Sequence, residues 1–588
     1  MSHKYKDIGC GEIKREDIGK TVTLSGWIDT RRDHGGLIFM DLRDRSGVVQ
    51  LVFNPERDAA VHATGELLRG EYVVTAKGEV SPRPEENVNP KLPTGEIELI
   101  VDELTILSKA KTPPFEIEDG INVDESIRLK YRYLDIRRPE VAGALLLRSR
   151  VVKTIHKYLD DRGFIEVETP YLTKSTPEGA RDFLVPSRLS PGHFFALPQS
   201  PQLFKQILMV AGMERYYQLA RCFRDEDLRA DRQPEHTQID LEMSFVTRDD
   251  VMDVAEGMIR EIFRQDIGVD IPDPLPRMTY REALENYGTD RPELRFGLTI
   301  KDLTGVFARS EFKVFSGAIA AGGRIKGLVA PGAAGYSRKD MDELTEFVKI
   351  YGAKGLAWAG VGEDGVLTGP IAKFITDNEA DAAKGALGAS PNDMILMVAD
   401  KEDTALNAIG NLRLEIGKRL DLIKESDFRL TWVVDFPLVQ WDEEEDRPKA
   451  VHHPFTMPTV DSMGLLEDDP LSANADAYDL VINGVEVGGG SLRIHDADLQ
   501  RRMFRLLKMS DEEARDKFGF LLEAFEYGAP PHGGLAFGLD RLVMLLAGQS
   551  SIRDVIAFPK TQTGTCLMTG APDTVQDEQL RDLDIKLR

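Results

Sequence analysis

The chain has 588 residues, 42% apolar and 29% charged, the composition of a soluble globular protein whose length suggests about three to four domains. No apolar run approaches the roughly 18 residues a membrane helix needs, and the start, MSHKYKDIGCGEIKRED, is too polar for a secretory signal, so a cytoplasmic location is expected. The net charge of −25 argues against indiscriminate binding to phosphate backbones, while leaving room for one folded RNA docked through local basic patches.

Residues 1–108 hold five β-rich stretches, TVTLSGWI, GLIFMDLRD, GVVQLVF, EYVVTAKGEV and GEIELIVDELTIL, separated by glycine, proline and charged turns. Five strands in about 100 residues predict a small Greek-key barrel of the OB type. Residues 109–140 read as a linker, with Pro113 and Pro114 inside SKAKTPPFEIEDG. In RSRVVKTIHKYLDDRGF, Val151, Val152, Ile155, Tyr158 and Leu159 share one helical face, and Gly163 supplies the stop. FIEVETP then alternates as a strand ending at Pro170.

Strand-like and helical segments alternate to about residue 290. From 295 to 425 small residues crowd SGAIAAGGRIKGLVAPGAAG, followed by the strand-like KGLAWAGV and a helix in NAIGNLRLEIGKRL. At LTWVVDFPLVQW the earlier strand pattern returns. The expectation is an α/β multidomain chain: a barrel at 1–108, a linker at 109–140, one domain in two pieces at 141–294 and 426–560, an inserted α+β domain at 295–425, and a C-terminal extension at 561–588.

Some familiar chemistries are excluded. Gly360, Gly362 and Gly365 match GxGxxG, but VLTGP follows, so no helix can present its N-terminus to a pyrophosphate, and a hairpin turn is expected. No GxxxxGK[ST] and no HExxH occurs. Cys10, Cys222 and Cys566 lie far apart without a CxxC, which argues against a zinc site or a disulfide framework.

Two segments carry the chemistry. FRDEDLRADRQPEHTQIDLEMSF begins at Phe223 and contains Arg224; GGLAFGLDR begins at Gly533 and ends in Arg541. An ATP site without a P-loop needs cations where charge develops. One arginine can serve the α-phosphate and another the far end of a bent triphosphate, with small residues letting backbone approach the base. The pair resembles motifs 2 and 3 of class II aminoacyl-tRNA synthetases. The helix–glycine–strand–proline pattern near Gly163 resembles motif 1, the dimer-interface motif, so a homodimer is expected. The whole chain, including the insertion, resembles the bacterial aspartyl-tRNA synthetases of the aspartate/asparagine/lysine subgroup. The resemblance implies a catalytic domain built on an antiparallel sheet.

The resemblance also implies roles. Arg224 would grip the α-phosphate and neighbour the amino-acid carboxylate; Arg541 would hold the γ-phosphate. The rest of the ATP site would be Asp225, Glu226, Gln233, His236, Glu486, Gly538, Leu539 and Asp540. Asp479 and Glu486, in YDLVINGVEVGGGSLRIH, match positions that hold magnesium on the triphosphate; hard cations on phosphates take one or two protein carboxylates. For aspartate, Lys205 and Arg493 would face the side-chain carboxylate, with Ser200, Gln202, Asp240 and His452 around them, and Glu178 would meet the α-amino group. Buried cations accept aspartate and penalise asparagine, whose amide leaves them unpaired, on the order of several kcal/mol. One departure stands out: His236 occupies a position where the family usually has a phenylalanine stacked on adenine.

At the RNA end, OB barrels read single-stranded bases by stacking and edge hydrogen bonds. Phe39 matches the family's stacking residue and Gln50 a base-reading position in the anticodon, while RRDHGG, with Arg31, Arg32 and His34, would form the phosphate-facing loop. Where His34 sits, discriminating enzymes often carry leucine and non-discriminating ones histidine. The second marker, Glu86, matches neither expected residue. The expected function is ATP-dependent attachment of aspartate to tRNA, with relaxed tRNA choice favoured over strict choice. The rivals are an asparaginyl-tRNA synthetase, against which the insertion and the Lys205–Arg493 pair speak; an RNA-binding protein without catalysis; and an ammonia-dependent asparagine synthetase, which would not need the barrel.

Overall fold

The computed structural model describes residues 5–176, 180–228 and 232–587. The chain divides into two compact units, 1–146 with 556–573 and 147–555 with 574–588.

The first unit contains a closed five-stranded barrel made of β1 (Thr21–His34), β2 (Leu37–Asp44), β3 (Gly47–Phe53), β4 (Val73–Pro82) and β5 (Ile97–Ser108), in spatial order β1-β2-β3-β5-β4. Only β3 and β5 pair in parallel. Alternation in β1, β2 and β4 places Leu24, Ile28, Met40, Leu42, Val74 and Ala76 inside the barrel, and Leu51 and Leu99 join them from β3 and β5, which are buried at consecutive residues. The sequence reading found all five strands but not the helix Ala59–Glu66 between β3 and β4. That helix has few large apolar residues; it is fixed by Asp58, whose carboxylate accepts from the N–H groups of Ala60 and Val61.

The second unit is organised by an eight-stranded sheet. Its spatial order is Arg277–Thr279, Leu430–Val434, Ala477–Ile482, Val485–Leu492, His532–Gly538, Glu235–Ser244, Arg215–Phe223, Ile165–Glu166. The inner pairings are antiparallel and the two outermost are parallel. The helix Pro139–Asp160 precedes the edge strand, with Val151, Ile155, Tyr158 and Leu159 buried. The strand expected to run to Pro170 is only Ile165–Glu166, because after Val167 the chain leaves the sheet and Thr169 hydrogen-bonds the Gln218 side chain instead.

Between Tyr287 and Leu430 the same unit builds a second, five-stranded sheet in the order Lys301–Asp302, Arg324–Ala330, Met394–Asp400, Ala357–Val361, Leu367–Thr368. The central strand is apolar on both faces. Leu396 and Val398 pack with the helices Arg338–Ile350 and Glu402–Arg419, whereas Ile395 and Met397 pack with Phe307, Phe315 and Ala383. The glycines at 360, 362 and 365 form a hairpin, with Gly362 N–H donating to the Val366 carbonyl at 2.9 Å.

Candidate active site

Strand Glu235–Ser244 sets the layout. Alternation puts His236, Gln238, Asp240 and Glu242 on one face, about 7 Å apart at each step of two. The first two line a cleft; the second two lie in an adjoining recess. The cleft is walled by Arg224, Glu226, Gln233 and His236 on one side and by Glu486, Gly488, Ala536, Gly538, Asp540 and Arg541 on the other. Gln238 pairs with Gly538 and Asp240 with Ala536 across the sheet, which brings the two distant motifs together.

Arg224 enters this cleft with its Nε buried and without a hydrogen-bond partner among the described residues. Buried polar atoms are rarely left so, and a ligand oxygen would satisfy it. Arg541 lies at the start of the helix Leu539–Leu546 and donates from Nη1 to the Glu486 carbonyl at 3.0 Å. Glu226 pairs with Arg232 at 2.9 Å. The packing around His236, with Arg224 next in effect, lowers its pKa to about 4, so the ring is neutral at pH 7.

Three members of the expected ATP site sit differently. Leu539 points into the core and is 1% exposed, so only its backbone can approach a nucleotide. Asp225 lies outside the cleft, bridged through its backbone to Arg181. Asp540 does line the cleft, but its carboxylate is engaged within the protein: it accepts from Arg148 at 2.6 Å and from the Thr237 N–H at 2.9 Å. Its contribution is to tie the two motifs.

The recess is a compact charge cluster. Lys205, on the face of helix Gln202–Val210 that also buries Gln202, Gln206 and Met209, is 1% exposed and donates to Asp240 Oδ1 at 2.6 Å. It lies 3.2 Å from Glu242. Arg493, 3% exposed, donates from Nε and Nη2 to the two oxygens of Glu242 at 3.0 and 3.2 Å, and from Nη1 to Ser491 at 2.6 Å. His453 Nε2 lies 2.6 Å from the same Nη1, and burial and then the Arg493 charge push its pKa well below 6.5. Burial pushes the Asp240 carboxyl up, against Lys205. Burial acts on Glu242 too, but Arg493 and then Lys205 hold it below the usual carboxylate range.

Glu242, His453 and Ser491 were missed in the sequence. The signal for Glu242 was present in QIDLEMS, where two acids two residues apart share one face of a buried strand. Gln202 and His452 each leave a buried nitrogen, Nε2 in both, without a hydrogen-bond partner among the described residues. Burial, and then Arg493, lowers the His452 pKa to about 4. Ser200 stands just before the helix, its Oγ accepting from the Gln202 N–H at 3.3 Å. Glu178 lies outside the described residues.

Asp479 and Glu486 come from adjacent strands of one hairpin. The Asp479 carboxylate lies across Gly489, where a Cβ would meet its Oδ1 at 2.1 Å. Burial, then Glu486 and Asp290, drive the Asp479 carboxyl well above its ordinary range. Arg291 offsets this only in part, and a pair of carboxylates in which one raises the other fits a divalent metal that would take its remaining ligands from phosphate and water.

In the barrel, Ile38 and Met40 are buried while Phe39 between them faces outward and is half-buried, so it is not a core aromatic. Beside it Gln50 is engaged at both ends, donating to Glu98 at 2.8 Å and accepting from Arg32 at 3.2 Å. Arg31 is tied to Asp33 and to the Glu66 carbonyl. His34 is exposed at the end of β1, before the Gly35–Gly36 turn.

The family model for class II tRNA synthetases (D, K and N) matches residues 124–562, and that for the OB-fold nucleic acid binding domain matches residues 22–107. The chain is 59% identical to the Aspartate--tRNA(Asp/Asn) ligase of Moorella thermoacetica, over 99% of this chain and 97% of that one. It is 56% identical to the protein of the same name from Caldanaerobacter subterraneus subsp. tengcongensis, over 98% of each. Among solved structures it matches the asparaginyl-tRNA synthetase of Pyrococcus horikoshii complexed with asparaginyl-adenylate (TM-score 0.59, 19% identity, 95% of this chain and 99% of that one). It also matches a putative aspartyl-tRNA synthetase of Leishmania major Friedlin (TM-score 0.58, 21% identity, 95% and 94%). At these identities the structures speak for the fold alone; with the family models and the curated relatives, the chain belongs to the class II tRNA synthetases of the aspartate, lysine and asparagine group, in the branch of the aspartate–tRNA ligases.

Proposed function

We propose that this enzyme activates L-aspartate with ATP and transfers it to tRNA, charging the asparagine tRNA as well as the aspartate tRNA. The carrying observation is the buried Lys205–Asp240–Glu242–Arg493 cluster on the same strand face as the nucleotide cleft. Its two cations suit a carboxylate side chain. An asparagine amide in the same place would leave cationic N–H groups unmet.

The α-carboxylate of aspartate, with a reference pKa of roughly 3.5, needs no general base. It attacks the α-phosphorus while Arg224 neutralises the developing charge, and pyrophosphate departs toward Arg541. Glu226, Gln233 and the neutral ring of His236 orient the nucleotide. A magnesium ion held by Asp479 and Glu486 would supply further neutralisation of the triphosphate. The 3′-hydroxyl of the terminal tRNA adenosine then attacks the aspartyl carbonyl; its proton leaves, the C–O bond to phosphate breaks, and AMP is released. Gln202 and His452 are the polar groups available to the bound amino acid.

Phe39 and Gln50 would meet the anticodon, with Arg31 and His34 at the hairpin beside them. Relaxed tRNA choice is supported by the exposed His34 and by the name of the relatives, which includes both tRNAs. A homodimer through the helix Pro139–Asp160 and the edge strand Ile165–Glu166 is supported by the motif 1 pattern and by Ile165, 47% exposed. No helix among the described residues is long and apolar enough to cross a membrane; a cytoplasmic location is supported by the family to which the chain belongs. Aminoacylation of separate aspartate and asparagine tRNA transcripts tests the reading: both should be charged with aspartate and neither with asparagine. Charging of the aspartate transcript alone would leave a discriminating enzyme, and charging with asparagine would overturn the pocket.

A further inference from the structure

The chain leaves the eight-stranded sheet for the five-stranded one near residue 288 and returns near residue 429; these two passes flank the turn that joins the strands bearing Asp479 and Glu486. The turn is Asn483–Gly484, with φ of 50° and 75°, as a two-residue hairpin of the right twist requires. On one side a Cβ on Gly484 would lie 3.2 Å from the Glu293 Cβ. On the other, Asn483 accepts from the Arg429 N–H at 2.8 Å and donates to the Asp427 carbonyl at 2.9 Å. The two passes are linked to each other: Arg295 chelates Glu293 at 2.7 and 3.1 Å and reaches Glu425 at 3.3 Å.

Arg413, on helix Glu402–Arg419 of the inserted unit, holds the outgoing pass. It is 1% exposed and donates to the carbonyls of Glu293 (2.8 Å), Phe296 (3.0 Å) and Leu298. Its guanidinium lies 4.1 Å over the Phe296 ring and 4.9 Å over the Tyr287 ring. Three carbonyls in a fork and two rings are a use that suits arginine rather than lysine.

On one side the tip is held by the sheet, where Val481 and Ile482 pair with Thr431 and Leu430; the strand bearing Glu486 relies on the hairpin. Its ladder is regular from Ala477 to Leu480, but a bulge falls between Leu480 and Val481, leaving only Val481–Glu486 and Ile482–Val485 beyond it. Glu486 therefore sits on the tip side of the bulge and Asp479 on the body side. Because a bulge is where a strand pair bends, the distance between the two carboxylates depends on how the tip is held.

We propose that the neck of the inserted unit, through Arg413, is a positioning device for the metal end of ATP: it clasps the Asn483–Gly484 turn and so sets the spacing of Glu486 from Asp479. This rests on the assignment of those two carboxylates to magnesium made above. The inserted unit thereby becomes part of the ATP machinery without touching the nucleotide.

The test is Mg2+-dependent ATP binding measured by calorimetry without aspartate, alongside the KM for aspartate. Arg413→Lys and Arg413→Met should raise the Mg2+ needed for half-saturation about tenfold, the lower end of what outer supporting residues contribute to metal affinity, with the aspartate KM within about twofold of the parent. Asn483→Gly keeps the turn geometry and the backbone bond from the residue 483 N–H to the Arg429 carbonyl, and removes only the two side-chain ties to residues 427 and 429; it should shift the Mg2+ requirement in the same direction and decides the matter if the Arg413 variants fail to melt cooperatively. Glu486→Gln is the control. If it shifts the Mg2+ titration and neither folded Arg413 variants nor Asn483→Gly does, the clasp is refuted alone; if it shifts nothing, the metal assignment and the clasp fall together.

Discussion

Arg493→Lys tests the side-chain pocket most directly. The wild-type guanidinium spends two N–H groups on Glu242, two more on Ser491 and His453, and reaches the Gly534 carbonyl at 3.4 Å, a long contact that a substrate carboxylate would replace. A lysine keeps the charge, so Glu242 is not stranded; the full penalty of about 3–5 kcal/mol for breaking a buried pair is avoided. What a point charge on a shorter stem loses is the fork. It can satisfy Glu242 or a substrate carboxylate, but not both in fixed geometry. One charge-assisted hydrogen bond is worth about 1.5–3 kcal/mol, and at about 1.4 kcal/mol per factor of ten the aspartate KM should rise ~10- to 150-fold. ATP–pyrophosphate exchange titrated with aspartate reads the effect, and calorimetric ATP binding, which should be unchanged, isolates it from the nucleotide cleft. A folded Arg493→Lys enzyme with an aspartate KM within threefold of the parent would show that Arg493 does not face the substrate.

His236→Phe should leave turnover intact and lower the KM for ATP by ~2- to 5-fold, since a phenyl ring offers adenine more apolar area than imidazole; an unchanged or raised KM would count against stacking there. The buried imidazoles also set an acid limit. His236 and His452 have pKa values of about 4, and those of His453 and His532 are likewise lowered. The unfolded chain, with its histidines near the reference value of roughly 6.5, takes up more protons than the fold between about pH 6.5 and 4, so stability falls as pH drops through that window. Urea midpoints at pH 7.5, 6 and 5 should decline in that order, and His236→Phe should flatten the decline by removing one site; parallel profiles for the two proteins would refute the neutral buried ring at residue 236.

Much of the architecture was written locally. The barrel strands stood out as β-rich stretches between glycine, proline and charged turns, whereas the strand Met394–Asp400, apolar from Met394 to Ala399 because both its faces are covered, was not singled out. The helix Ala59–Glu66 was hidden because a polar cap, rather than an apolar stripe, defines it. The resemblance named residues for a nucleotide site, and the structure gathers four of them, Arg224, His236, Glu486 and Arg541, around one cleft. Leu539 and Asp225 show the limit of that legibility: adjacency in a motif does not say which side chain faces the cleft and which the core or solvent.

Glu242 marks the deeper limit. Its strand announces an acidic face, yet an acidic face on an isolated strand is most simply a solvated one. Only partners far away reverse that reading: Lys205 stands 37 positions earlier in the numbering and Arg493 is 251 positions later. Without them two carboxylates at this depth would have to take up protons, as the raised pKa of Asp240 already indicates in part. With them the cluster sums to zero charge, two cations against two carboxylates. On the proposed reading a substrate carboxylate would arrive at oriented N–H donors in a site whose own charges are balanced, so aspartate would be selected by geometry more than by bulk attraction, which a chain of net charge −25 requires.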